Sequence, residues 1–297
     1  MIKMSEIVKS SVPAFSVTMN EITHVEKYLN YMKLNMEWLE KFDKTIFAIN
    51  GKPEAAQGFT EAFANLFPYV SPTLISQENL GHTFGTLDLD FAVWEYTSQA
   101  PDIEYVWKFA GDTLANPSIF DIDIDETCDF LYFNNFGCTN LNNYTKDELV
   151  KAILNQDYLY PQTNYYFYKP KSIKRWYPDG DEIMLLKEKY ENIQQHKPEI
   201  QPWEALQGVD AGFVNSEYVK TNRPVDIEGC ACEAYLGYTV LANNLKMQQL
   251  VPEESLKYVV DLMEEHEIHD GSHKNFLYEK VGGLCHYHIM NGQAVPI

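Results

Sequence analysis

Apolar and polar positions switch repeatedly between two periods along the first third of the chain. Ala14–Asn20 (Ala-Phe-Ser-Val-Thr-Met-Asn) has strand character and gives way to Ile22, Val25, Leu29, Met32, Met36 and Leu39 at helical spacing. That stripe predicts one long amphipathic helix over 21–42. Lys44–Asn50 is an apolar run of strand length closed by Asn50-Gly51. Pro53 suits the first turn of the next helix, where its missing N–H would be unpaired anyway. Phe59, Phe63, Leu66 and Phe67 supply the buried stripe of that helix, and Pro68 ends it. Ser71–Gln77 reads as a third strand running into Glu78-Asn79-Leu80-Gly81. A helix near 85–99 then buries Leu87, Phe91 and Trp94, and Ile103–Phe109 reads as a fourth strand running into Ala110-Gly111-Asp112. Strands alternating with helices of this length pair in parallel through crossover connections. Ligands of such sheets sit outside the carboxyl ends of the strands. The chemistry is therefore expected just after Asn20, Asn50, Gln77 and Phe109.

Beyond this region the pattern is less regular. Asp129–Gly137 reads as a strand, and Thr145 with Glu148 has the capping-box spacing that opens a helix over 146–157. Tyr158–Pro178, dense in Tyr, Pro and Lys, reads as loop and short strands, followed by a helix near 181–195. Pro252 begins a helix with Leu256, Val259, Val260 and Met263 on one stripe. Asp121-Ile122-Asp123-Ile124-Asp125-Glu126 alternates in the manner of an edge strand, with Ile122 and Ile124 facing in and a solvated acidic side.

Charge narrows the partners. Forty-three acidic against 23 basic residues give a formal net charge of −20, a field that repels duplex nucleic acid and anionic membranes. A nucleotide ligand remains compatible, because a divalent cation offsets its diphosphate locally. Met1–Ser11 is polar, without the apolar core of a secretory signal, and no stretch nears the roughly 20 apolar residues of a membrane span. Five irregularly spaced cysteines fit free thiols in a reducing compartment. The expectation is a cytoplasmic protein. With 20 Tyr and 16 Phe the chain is also rich in rings suited to stacking on a sugar or a base.

The ordered set Asn20, Asn50-Gly51, Asn79-Leu80-Gly81 and Ala110-Gly111-Asp112, with Thr113-Leu114-Ala115-Asn116-Pro117 after it, resembles family 2 glycosyltransferases and their relatives with the GT-A fold. The resemblance runs from Phe15 to about Asp121 and more weakly through 203–247. There Gly208-Val209-Asp210-Ala211-Gly212-Phe213 is similar to the family's acceptor segment, and Cys232-Glu233-Ala234 to the Glu-Asp region bearing the catalytic base of inverting members. His286-Tyr287-His288 sits where several such enzymes place a late metal-binding histidine. The resemblance implies a three-layer α/β, Rossmann-like fold with a mixed, mainly parallel sheet, flanking helices and a C-terminal acceptor-side extension. Residues 1–140 would form the donor half and 141–297 the acceptor half with the C-terminal helices, packed as one domain. Two positions depart from the family: Ala110 replaces the first Asp of its Asp-x-Asp motif, and Ala234 the second acid of the Glu-Asp region.

The implied activity is metal-assisted transfer of a hexose from a UDP- or GDP-linked donor to a glycan or small-molecule acceptor. A Mn²⁺ or Mg²⁺ ion would stabilise the leaving diphosphate, and a base would take the acceptor proton if the anomeric centre inverts. Asp112 with His286 or His288 is the candidate metal set, which suits Mn²⁺ because that ion accepts imidazole beside oxygen. Glu233 is the candidate base, with Asp210 and Glu228 as lesser claimants. Asn20, Asn50, Asn79, Gly81 and Asp112 are the candidate donor contacts. His82 is placed to reach phosphate, and Trp203 and Glu204 to frame an acceptor. Three other readings stay open. One is a degenerate, ligand-binding relative, suggested by Ala110 and Ala234. Another is a sugar nucleotidyltransferase, although Asn20-Glu21-Ile22 lacks the Gly-rich basic loop of that class. The third is a zinc site from Cys230, Cys232, Cys285, His286 and His288, whose spacing lacks the usual Cys-x-x-Cys pairs.

Overall fold

The computed structural model describes residues 1–111, 113–115, 117–132, 165–196, 235–237, 239–240, 242–250, 284–290 and 293–296. Its centre is a seven-stranded sheet. The strands in chain order are β1 (Ile2–Lys3), β2 (Ser11–Met19), β3 (Lys44–Gly51), β4 (Ser71–Gln77), β5 (Tyr105–Ala110), β6 (Thr113–Ala115), β7 (Asp123–Ile124), β8 (Phe130–Tyr132), β9 (Tyr165–Tyr168), β10 (Met247–Gln249), β11 (Leu284–Met290) and β12 (Gln293–Pro296). The helices are α1 (Thr23–Leu34), α2 (Met36–Leu39), α3 (Pro53–Leu66), α4 (His82–Gln99) and α5 (Gly180–His196). The sheet order is β10-β8-β9-β5-β2-β3-β4. β4, β3, β2 and β5 run parallel, β9 runs against both β5 and β8, and β10 parallels β8. This is the mixed, mainly parallel α/β sheet expected from the alternation of elements.

Parallel strands are stable only when both faces are covered, and alternate residues divide the core accordingly. Phe15, Val17, Phe47, Ile49, Trp107 and Phe109 pack under α1, α2 and α3. Val12, Ala14, Ile46, Ala48 and Val106 pack under α4 and α5 with Phe84, Leu87, Val93, Ile183 and Leu186. The result is three layers. The predicted stripe of α3 is realised: Phe59 and Phe63 meet Phe47 edge-on at 4.9 and 4.7 Å between ring centroids. Burying each such ring contributes about 1.5–3 kcal/mol. On the opposite face Leu87 is buried, while Phe91 and Trp94 are only half-buried.

The expected single helix over 21–42 is instead two helices. Asn35, fully buried, interrupts it, because its side chain donates to the Tyr31 carbonyl and accepts from the Trp38 indole at 2.7 Å. Local bonds of this kind compete with helical continuation. Ile22, placed on the buried stripe by periodicity, lies before α1 and is 58 % exposed. The acidic alternation at 121–126 also shortens: Pro117–Asp121 is a 3₁₀ turn, and only Asp123–Ile124 pairs, with β1. Ile124 is buried as expected. Asp123 and Asp125 are not merely solvated, since Lys3 and Lys246 bridge them at 2.8 and 2.7 Å. The strand expected over 129–137 is seen as β8, its remainder lying outside the described residues, as do the helices expected at 146–157 and after Pro252.

One charge pair is built into the core. Lys108 of β5 is 2 % exposed and Asp90 of α4 is 4 % exposed. Lys108 Nζ lies 3.1 Å from Asp90 Oδ1, which also accepts from Ser16 Oγ, while Tyr166 donates its hydroxyl to Oδ2 at 3.1 Å. A buried pair is justified energetically only when its remaining lone pairs are bonded, and here they are. Lys108→Met should cost about 3–5 kcal/mol in urea unfolding, because the Asp90 carboxylate loses its countercharge. The double change with Asp90→Leu should recover most of that loss.

Candidate functional site at the carboxyl rim

The crossovers leave β2 and β3 through helices on one face and return to β5 through α4 on the other. The strand order therefore reverses between β2 and β5, and a crevice opens outside their carboxyl ends. β2 ends just before Asn20 and β5 just before Gly111. Gly111 donates its N–H to Ser16 O at 2.9 Å, and a Cβ on it would lie 2.8 Å from both the Tyr28 ring and Val17. Only glycine fits between α1 and β2 at this point.

β2 and β3 converge tightly at the rim. Gly51 has φ +117, and a Cβ on it would stand 2.3 Å from the Met19 carbonyl oxygen. The next residue, Lys52, donates to that same carbonyl at 2.8 Å. Asn50 follows the parity of Ile46 and Ala48 and so faces α4. It is 1 % exposed, its Nδ2 lies where a Gly85 side chain would be, and its Oδ1 meets no donor among the described residues. An acceptor left so in a native core calls for a water or a ligand.

A pair of carboxamides spans the end of β3. Asn79 Nδ2 donates to Asn20 Oδ1 at 2.7 Å, and Asn79 Oδ1 accepts from Gly81 N at 2.9 Å. Gly81, at φ +87, is the N-cap of the 18-residue α4. Glycine enters this conformation without the steric cost other residues meet. The sequence-predicted residues Asn20, Asn50, Asn79 and Gly81 are thus brought to one rim. His82 opens α4 beside them.

Burial, with Glu78 and Glu95 adding repulsion, pushes the Asp88 carboxyl up to about 6.

The other half of the site is carried by backbone. β6 starts directly after Asp112 and pairs antiparallel with β11, so that Thr113 opposes His286, Cys285 opposes Leu114 and Leu284 opposes Ala115. The strand bearing His286 and His288 therefore runs along the segment that follows Asp112, across a large sequence separation. Asp112 itself, Glu233, Asp210, Glu228, Trp203, Glu204, Cys230 and Cys232 lie outside the described residues. Among the described residues there is no cluster of three metal-ligating side chains, and no helix is long and apolar enough to cross a membrane.

Asn35 was missed by sequence reasoning. Its Nδ2 donates to the Thr113 carbonyl at 3.1 Å, and its Oδ1 accepts from Ala115 N at 3.0 Å. The available signal was a second stripe on α1, His24, Tyr28, Tyr31 and Asn35, at the same helical period as the apolar one.

No family model and no curated protein matches the chain. Solved structures with a similar arrangement are glycosyltransferases. The galactosyltransferase LgtC with donor and acceptor sugar analogues is 13 % identical, with a TM-score of 0.35, over 82 % of this chain and 98 % of that one. A mannosyltransferase from Pyrobaculum calidifontis with GDP-Man and Mn²⁺ is 11 % identical (TM-score 0.34), over 78 % and 86 %. Glucosyl-3-phosphoglycerate synthase from Mycobacterium tuberculosis, with Mn²⁺, UDP and phosphoglyceric acid, is 12 % identical (TM-score 0.35), over 66 % and 70 %.

Two measurements check the rim. Gly51→Ala should destabilise the fold by about 1–3 kcal/mol, since it forces a side chain into a left-handed, sterically closed position. Asp88 has a raised folded-state pKa, so the folded form binds its proton more tightly than the unfolded chain. Its ionisation then costs stability as pH rises from near 4 through 6. Asp88→Asn should accordingly raise Tm at pH 8, with the gain vanishing by pH 4.

Proposed function

We propose that this chain is a glycosyltransferase that takes a hexose from a UDP- or GDP-linked donor, with a divalent cation at Asp112. The single observation that supports it best is the pairing of Thr113 with His286. It sets a histidine-bearing strand against the residue after the one carboxylate of the fourth strand-end turn. A carboxylate, an imidazole and the donor diphosphate make a donor set suited to Mn²⁺, the hard-cation requirement being met mainly by oxygen. Bound there, the cation would act as a Lewis acid on the leaving diphosphate.

The chain's own residues then divide the work. Asn50, whose buried acceptor meets no donor among the described residues, and Asn20 with Asn79 would hold the nucleoside. Gly81 lets the backbone approach the donor without a side chain in the way. Glu233, with Asp210 as the alternative, would take the proton of the acceptor hydroxyl, which is a glycan or small molecule in keeping with the −20 charge. Ala110, which ends β5, supports a second reading in which the site binds a nucleotide sugar without turning it over.

A panel of UDP- and GDP-sugars with Mn²⁺ should raise the melting temperature for at least one donor. At ~100-fold excess over Kd the stabilisation is about 2.7 kcal/mol. The same donor should be hydrolysed slowly, and Asp112→Asn should remove that turnover. If no nucleotide sugar shifts melting at millimolar concentration, the proposal is wrong; a shift without turnover selects the binding-only reading.

A further inference from the structure

The described residues on either side of Asp112 are both held by α1 and its cap. On the β5 side the Tyr28 ring lies against Gly111, where a Cβ would stand 2.8 Å from it. On the other side Asn35, the fully buried C-cap of α1 two turns along the same stripe, binds Thr113 O and Ala115 N. These two backbone atoms belong to one edge of β6, because N–H and C=O groups of alternate residues point the same way. The opposite edge of β6 pairs with β11. Asn35 thus plays the part of a strand partner: one donor and one acceptor, at strand spacing, on the edge that β11 does not cover. Its orientation is set by the Trp38 indole, which donates to the same Oδ1, and by the Tyr31 carbonyl.

We infer that Asn35 is a positioning residue for the metal site. It fixes the backbone on the far side of Asp112 and, through β6, the register of the histidine strand. This rests on the reading of Asp112 and His286 or His288 as ligands. It explains why a fully buried carboxamide interrupts a helix whose apolar stripe would otherwise continue. Hydrogen bonds that orient ligands from behind are commonly worth about 10- to 100-fold in metal affinity.

The test uses the full chain and Mn²⁺ with UDP or GDP, bound ion being followed by electron paramagnetic resonance well below the melting temperature. Asn35→Leu keeps the branched shape and removes both bonds to β6. Val93→Ala, buried beneath α4 on the opposite face of the sheet, serves as a control for lost stability. The expected result is Mn²⁺ affinity about 10- to 100-fold weaker in Asn35→Leu, with Val93→Ala unchanged from the parent. Where Asn35→Leu fails to fold, Asn35→Gln replaces it; the same amide displaced by one methylene should give the same loss. Unchanged affinity in the Asn35 variant, or an equal loss in Val93→Ala, overturns the inference. A parent protein that binds no Mn²⁺ sinks the metal reading in the first arm, and the positioning role with it, before any variant is compared.

Discussion

Parallel pairing on both sides of β2 is the constraint from which the rest of the molecule follows. Such a strand cannot face water, so helices must cover both faces of the sheet, and the crossovers on the two sides of β2 must leave from opposite faces. The layer beneath α1 and α3 and the mixed aliphatic and aromatic layer beneath α4 are the two halves of that covering. The divergence of the crossovers opens the rim that carries Asn20, Asn50, Asn79 and Gly111. A site made in this way comes from strand ends and needs no dedicated loop to exist.

The same double burial explains the charged pair that the described residues place in the core. β5 runs Tyr-Val-Trp-Lys-Phe-Ala, and with both faces covered every second residue lands in an apolar layer. Lys108 has no solvent to reach, so Asp90 must meet it from α4, with Ser16 and Tyr166 completing the shell. Because the pair ties α4 to β5, β2 and β9, it helps fix the layer whose first turn carries Gly81.

How much of this was legible in the sequence depended on range. The first four parallel strands and their helices were visible because periodicity is local, and Asn50-Gly51 and Asn79-Leu80-Gly81 announced their turns through residues that favour φ above zero or cap a chain end. Asn35 was hidden because Met32, Met36 and Leu39 continue a helical stripe straight past it, and its partners Thr113 and Ala115 lie far along the chain. Nothing local in the sequence marks Asp90 as the partner of Lys108 either. The pairing of β6 with β11 has no local signature at all. The resemblance placed His286 and His288 near a metal-binding turn, but only the register put Thr113 opposite His286. The roles of Glu233 and Asp210 stay with the sequence reading alone.

The hydrogen bond between Asn20 and Asn79 has a thermodynamic consequence for whatever enters the rim. Asn79 Nδ2 already donates to Asn20 Oδ1 across the end of β3, so a guest that takes the place of either of those two atoms exchanges a bond and does not add one. Net enthalpy from that contact is small, as it is when protein–water bonds are swapped for protein–protein bonds. Discrimination then comes from the penalty on guests that open the bridge and leave an amide unmatched. At these two atoms the rim discriminates by penalising poor fits more than by rewarding good ones.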